Sequence, residues 1–224
     1  MANINGAFGL KPIAKFGQGT NSTGNGNYTL YEIASDNTNK IYQGGLVIPL
    51  NTGFIDTVGG VAGGSVSVLG VFGGCEFVSS VTGKLTFSNY WPGSGADSNF
   101  PVKARVYDDP MQLFIISSSG ANIGTDDDLT EANYLATRFA NADPATATTG
   151  SDTTGLSAMT LDLTTVAATA AHMFRIVGIQ EDVENSDFTT TGIPMIVRLN
   201  NHFNAPNGSI AAGTVSTTGL TAID

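Results

Sequence analysis

Two histidines, one cysteine and three acidic clusters are the side chains of this 224-residue chain with the most chemistry to offer. His172 and His202 both fall in or beside late, strand-like segments. Two imidazoles without a third ligand make an incomplete zinc site, and a histidine on a strand more often packs or meets a partner. Cys75 sits in the apolar run VFGGCEFV, which suits a small buried side chain. As the sole cysteine it excludes an internal disulfide framework. Asp126, Asp127 and Asp128 with Glu131 resemble a loose calcium ligand set, but they lack the EF-hand spacing and its central glycine, and helix capping accounts for them. Asp108-Asp109 precedes Pro110 and reads as a turn. Glu181, Asp182 and Glu184 form an acidic loop between strands. Paired carboxylates can do acid–base work, and sugar cleavage needs two of them ~5–10 Å apart, but nothing in the sequence lines them along a cleft. No GxGxxG follows a strand, and no GxxxxGK[ST] occurs. The expectation is a chain without catalytic residues, metal or cofactor.

Tyr90, Trp91, Phe100 and Tyr107 gather around the turn at Pro92. Exposed, such a cluster would bind carbohydrate or a partner; buried, it is a corner of the core. The segments that must position these residues are short and β-like. YTLYEI at 28–33 alternates, with Tyr28, Leu30 and Glu32 opposite Thr29, Tyr31 and Ile33. KIYQGGLVIPL, LTFSNYW, VKARVYDDP, MQLFIISS, HMFRIVGIQED and PMIVRLNNHF read as further strands, and TLDLTTV as a strand or turn. In VGGVAGGSVSVLGVFGGCEFVSS, glycine pairs mark turns or bulges between Val-rich strands. One helix is expected over 127–140, capped from Asp126–Asp128, with Leu129, Tyr134, Leu135 and Phe139 as a partial apolar face. The Ala/Thr-rich stretch 142–155 reads as a loop.

Many short strands with glycine-marked turns and a single helix predict a mainly β fold, an antiparallel sandwich or barrel with the jelly roll as one form. The division expected is a Gly-rich N-terminal arm at 1–27, a β-rich core domain at 28–203 and an extended tail at 204–224. The arm carries apolar anchors at Ile4, Phe8, Leu10, Ile13 and Phe16, and the tail at Ile210, Val215, Leu220 and Ile223. The arm either crosses onto another chain or folds over its own core.

Composition narrows the partners. Charged residues are 12% of the chain, about half the usual ~25%. Such a surface tolerates being covered and suits a subunit of an assembly, or an ordinary β-protein with a neutral surface. Net charge is −10, and the nine Lys and Arg form no run or stripe. Phosphate binding needs clustered cations, so no direct nucleic-acid role is expected. No apolar run approaches ~18 residues and no secretory signal opens the chain, so no membrane role is expected and synthesis is assigned to the cytoplasm.

Spaced motifs carry a resemblance. NGAFGLKPI, YEIAS with IYQGGLVIPL, LGVFGGCEF, VYDDPMQLFII, TGLSAMTLD, FRIVGIQED and MIVRLNNHF follow one another over residues 5–203. In that order they resemble the capsid decoration or cement proteins encoded beside the major capsid protein in tailed bacteriophages. DDP before an apolar strand, and R-[LIV]-N-N-H near the end, are its most specific pieces; the 142–155 loop and the tail have no counterpart. The resemblance implies a virion-surface subunit that grips the major capsid protein as a homo-oligomer, commonly a trimer, with no catalytic residues to carry over. Acidity agrees with a place on the capsid exterior, away from the genome. Candidate interface residues are Phe8, Leu10, Ile13 and Phe16 in the arm, and His172, His202 and Phe203 in the late strands, which form either the contact between copies or the core of each. Three rivals stand: a major capsid protein, which usually shows a long spine helix; a head-spike or tail adsorption protein binding host glycan through Tyr90 or Trp91; and a polysaccharide hydrolase using Asp182 and Glu184.

Overall fold

The computed structural model describes residue 3, residues 6–16, 28–59 and 67–205, and the backbone of 210–211 and 214–215. Ile4, residues 17–27 of the expected arm, the side chains of Ile210 and Val215, and Leu220 and Ile223 of the expected tail lie outside the described residues.

The fold is mainly β, with one short helix, and has two six-stranded sheets, besides a two-stranded ribbon in which Ile210–Ala211 pairs with Thr214–Val215. Strands β1 (Lys11–Lys15), β8 (Gln112–Ser119), β9 (Asn141–Ala145), β10 (Thr160–Ala167), β11 (Phe174–Ile179) and β12 (Pro194–Leu199) form the first. Its order is β1-β8-β10-β9-β11-β12, and a further pairing of β12 with β8 closes five strands into a barrel. Closure leaves those five strands no free lateral edge over their paired lengths. The pairings are antiparallel except β10 with β8, where Leu161 pairs Ser118 in parallel. The barrel is filled by alternate residues: Phe114 and Ile116, Leu161 and Leu163, Phe174 and Ile176, Met195, Val197 and Leu199.

The second sheet is antiparallel, in the order β2 (Thr29–Ile33), β7 (Val102–Tyr107), β5 (Gly70–Val78), β3 (Leu46–Pro49), β4 (Ile55–Thr57), with β6 (Leu85–Ser88) on the far end of β5. Its own core holds Ile33, Ile41, Val47, Phe72, Cys75, Phe77, Trp91, Val102, Ala104 and Val106. The apolar runs LVIP and LGVF now have a cause. Leu46 and Val71 belong to the barrel core, while Val47 and Phe72 belong to the second core. Successive side chains on a strand point to opposite faces, so a strand between two cores is apolar on both.

The glycine pair in VFGGCEF is a bulge. The register of β5 on β7 slips between Phe72 and Gly74, and Gly74 sits at φ +122°. Phe72 and Cys75, three residues apart, therefore both face the second core.

Two expectations are corrected. The 142–155 stretch is not all loop, because its start belongs to β9, whose backbone is paired to β10 and β11. Tertiary pairing outweighs the weak strand propensity of NADPA. The helix α1 spans Glu131–Ala136, shorter than 127–140. Its cap is Thr130, whose hydroxyl accepts from the Asn133 N–H, rather than Asp126–Asp128, and Phe139 at φ +71° lies beyond its end. Within the N-terminal arm, β1 is a strand of the first sheet, and Leu10 is buried in the barrel core of its own chain. The Leu10 N–H donates to Gly44 O at 2.9 Å and the Gly9 N–H to Met159 O at 3.2 Å, so this part of the arm folds over its own core.

Candidate interaction surface

The side chains with chemistry are engaged within the chain. His172 Nδ1 lies 2.7 Å from Asp143 Oδ2, and Asp143 Oδ1 accepts the Met173 N–H at 2.9 Å, which fixes the entry to β11. His202 is fully buried. Its Nδ1 accepts the Asn204 N–H at 3.0 Å, and its Nε2 is buried without a hydrogen-bond partner. Burial drives its pKa down to about 4, against the pull of Asp108 and Asp109, so it is neutral. Main-chain bonds from Val68 N–H to Asn201 O and from Phe203 N–H to Val68 O clip this segment to the start of β5. The DDP turn and the N-N-H motif, ninety-odd positions apart, thus share one neighbourhood.

The carboxylates serve local structure. Asp108 accepts from Thr29 Oγ1 at 2.9 Å and Tyr31 OH at 2.7 Å; burial and this bond push the Tyr31 phenol up to about 12. Asp109 pairs with Lys15 at 2.5 Å. Asp182 accepts from the Glu184 N–H and from Asn185 Nδ2, capping a short turn. Asp126, Asp127 and Asp128 are exposed. Among the described residues no group of three or more His, Cys, Asp or Glu stands together as a metal site. No helix among them is long and apolar enough to cross a membrane.

The expected aromatic cluster is divided: Trp91 belongs to the second core, Tyr107 packs against the barrel core, and Phe100 is half exposed. Trp91 is wholly buried; its Nε1–H donates to Asn37 O at 3.0 Å and its ring meets Phe77 edge-on at 5.4 Å. Tyr90 stacks on Tyr42, with ring centroids 5.6 Å apart and planes 9° apart. A cleft of about 520 Å³ opens beside Lys40, Tyr42, Thr57 and Thr149, but Tyr90 covers one face of Tyr42 and the Gly150 backbone crowds its ring. No free aromatic platform is left there.

Of the arm residues, Leu10 is core, Ile13 is half-buried on β1, and Phe8 is half-buried beneath the Lys11 ammonium at 4.0 Å. Phe16 is about half exposed, with the Arg198 guanidinium 5.9 Å from its ring centroid. Phe203 is half-buried against the second core.

Among the described residues, exposed apolar side chains also gather elsewhere. On the back of the second sheet, Leu46, Val71 and Tyr107 pack against the barrel. Further along the same face the barrel ends. There the pairings set Glu32, Lys103, Glu76 and Phe87 in one cross-strand row over β2, β7, β5 and β6, with Leu30 beside Arg105 and Val78 beside Leu85 in the flanking rows. Tyr28 and Leu30 are each 52% exposed, Leu85 58% and Phe87 62%. The Arg105 guanidinium lies between the Tyr28 and Phe87 rings, 5.8 and 5.7 Å from their centroids, and 3.7 Å from Glu76. Tyr, Phe and Arg together on an open face are the composition of a protein–protein contact. The sequence reading assigned no interface role to these residues. Its one available signal was YTLYEI, apolar on both faces of its alternation.

Searches against protein-family models, curated proteins and solved structures find no match for this chain.

Proposed function

We propose that this chain is a virion structural protein, a decoration or cement subunit that binds the outer surface of a tailed-phage head and stabilises the shell. The observation that carries the reading is an open sheet face of Tyr28, Leu30, Leu85 and Phe87 on a chain that is only 12% charged. Such a face suits a subunit whose surface is covered in an assembly, since apolar area removed from water contributes ~25 cal/mol per Å². The motif resemblance over 5–203 supplies the kind of assembly. The partner is the major capsid protein, and copies group as homo-oligomers, with trimers matching the local threefold positions of a capsid lattice. The role is structural, without catalysis: His172, Asp143, Asp109 and Asp182 are spent on internal bonds. A net charge of −10 favours the exterior over the genome side.

The test is quantitative mass spectrometry of purified virions, with maps of heads that contain and lack the chain. The expected result is a copy number in fixed proportion to capsid sites, density on the outer shell, and lower thermal resistance of heads that lack it. Absence of the chain from virions would reject the reading.

A further inference from the structure

We propose that the outer face of the barrel across β11 and β12 docks an acidic stretch of a partner polypeptide, whose carboxylates sit on Arg138, Arg175 and Arg198. These are three of the four arginines in the chain. Arg175 and Arg198 pair directly across β11 and β12, on the side opposite the core residues Phe174 and Leu199. Two residues along β12, Ile196 pairs with Gly178 on the same outer face. Gly178 has no side chain, and the Arg138 guanidinium fills that space, its Nε 3.6 Å from where a Cβ would stand. None of the three has a counter-charge. Among the described residues, the carboxylate pairs of Lys and Arg are Lys15–Asp109, Lys40–Asp152 and Arg105–Glu76. Arg175 Nε donates instead to the neutral amide of Asn141, and Arg198 meets the Phe16 ring. Asp143, two residues beyond Asn141, is held by His172 and the Met173 N–H. Like charges directly opposite on neighbouring strands destabilise a sheet. Burial, and then the charge of Arg175, push Arg198 below its ordinary pKa. A carboxylate between the two guanidiniums turns that repulsion into charge-assisted hydrogen bonds.

The surroundings select a polypeptide among anions. Strand β8 continues both rows, with Leu113 beside Arg198 and Ile115 beside Ile196. Leu113, Ile115 and Ile196 are half-buried, and Phe16 is about half exposed. Apolar side chains set among arginines match a segment that mixes carboxylates with apolar residues. A nucleic acid presents an unbroken line of phosphates, which a patch of three arginines does not follow, and it is repelled by a chain of net charge −10. This surface belongs to the barrel, whereas Tyr28, Leu30, Leu85 and Phe87 lie at the second sheet, and docking here does not depend on the capsid reading.

The experiment is fluorescence anisotropy of a labelled peptide of about 15 residues, built from Glu-Glu-Leu repeats, titrated with the purified full chain up to about 100 µM at low salt. The wild type is expected to bind with a micromolar Kd that weakens severalfold as salt rises to about 0.5 M. Arg175→Gln and Arg198→Gln are each expected to weaken binding about tenfold, and Arg138→Gln about threefold. Lys84→Gln removes the same charge beside β6 of the second sheet and is expected to leave binding within about twofold of wild type. Unlabelled oligo-dT of equal charge and inorganic phosphate are expected to displace the peptide far less well than unlabelled peptide does. Matched melting curves confirm folding of each variant, and Arg138, being exposed, tests the site without touching the core. No binding up to about 100 µM, a loss in Lys84→Gln equal to that in the arginine variants, or displacement by oligo-dT or phosphate as effective as by the peptide would each overturn the proposal.

Discussion

The backbone of Gly150 lies against the ring of Tyr42, so close that a Cβ built on the glycine would overlap Cγ and Cδ2 of the tyrosine and sit 2.7 Å from Leu156 O. The other side of the contact is fixed, since Tyr42 stacks on Tyr90 and its hydroxyl donates to Asp152 at 2.7 Å. Gly150→Ala therefore must move either the ring or the 150–156 turn. Overpacking of this kind costs about 1–3 kcal/mol. Gly178→Ala is the control: on β11, a Cβ there meets only the Arg138 guanidinium at 3.6 Å, and the change is expected to stay within about 0.5 kcal/mol. Urea midpoints at unchanged m-values measure both.

His202 makes stability depend on pH in a definable window. The folded chain holds the imidazole neutral down to about pH 4, whereas an unburied histidine takes its proton near 6.5. Between those values the unfolded state binds more protons, so stability falls as the pH drops through the window; above 6.5 the group contributes no pH dependence. The full gap corresponds to roughly 3 kcal/mol. His202→Asn keeps an acceptor for the Asn204 N–H and removes the titration. Denaturation curves between pH 4 and 7 are expected to show a smaller slope in the variant, and equal slopes would count against burial of a neutral imidazole. The difference between the two proteins cancels the carboxylates that titrate in both.

Cys75 is expected to be inert in the native protein. Its side chain is fully buried in the second core, with Sγ 3.5 Å from Tyr90 O, and burial pushes its thiol up to about 12. The thiolate is the reactive form, so labelling by an aromatic disulfide reagent at pH 8 is expected only at the rate of unfolding. Fast stoichiometric labelling without denaturant would place the thiol at the surface instead.

What the sequence made legible was whatever depended on neighbours along the chain. Alternation in YTLYEI, VKARVY and MQLFII marks β2, β7 and β8 because period-two patterning is a local property. The partners are not local. NADPA has the composition of a loop and becomes β9 because β10 and β11 offer it hydrogen bonds on both sides. Glu131–Ala136 is shorter than its acidic flank suggests because Thr130 supplies the cap. The open face escaped for the same reason: Tyr28, Leu30, Leu85 and Phe87 come from two strands far apart in sequence, and only the pairing of β2, β7, β5 and β6 puts them on one side.

The bulge at Gly74 sets which side chains that face presents. At φ +122° the residue occupies backbone space that costs a side chain about 1–3 kcal/mol, and a Cβ there would also stand 3.0 Å from Ser88 O on β6. Gly74→Ala is expected to destabilise by about that amount and to leave the pairing intact. Deleting Gly74 is a change of a different kind. Without the extra residue, β5 runs Phe72, Gly73, Cys75, Glu76, Phe77, and strict alternation keeps Phe72, Cys75 and Phe77 on the core side and Glu76 on the outer face, with the pairing to β7 and β6 unchanged. The deletion removes the bulge and its positive φ without exchanging the faces of the strand. It is therefore expected to yield a soluble, folded protein, with its cost confined to the lost bend of β5. Circular dichroism and thermal melts of the two variants decide it: a deletion variant that is insoluble or unfolded would show that Gly74 does more than take up one residue of register.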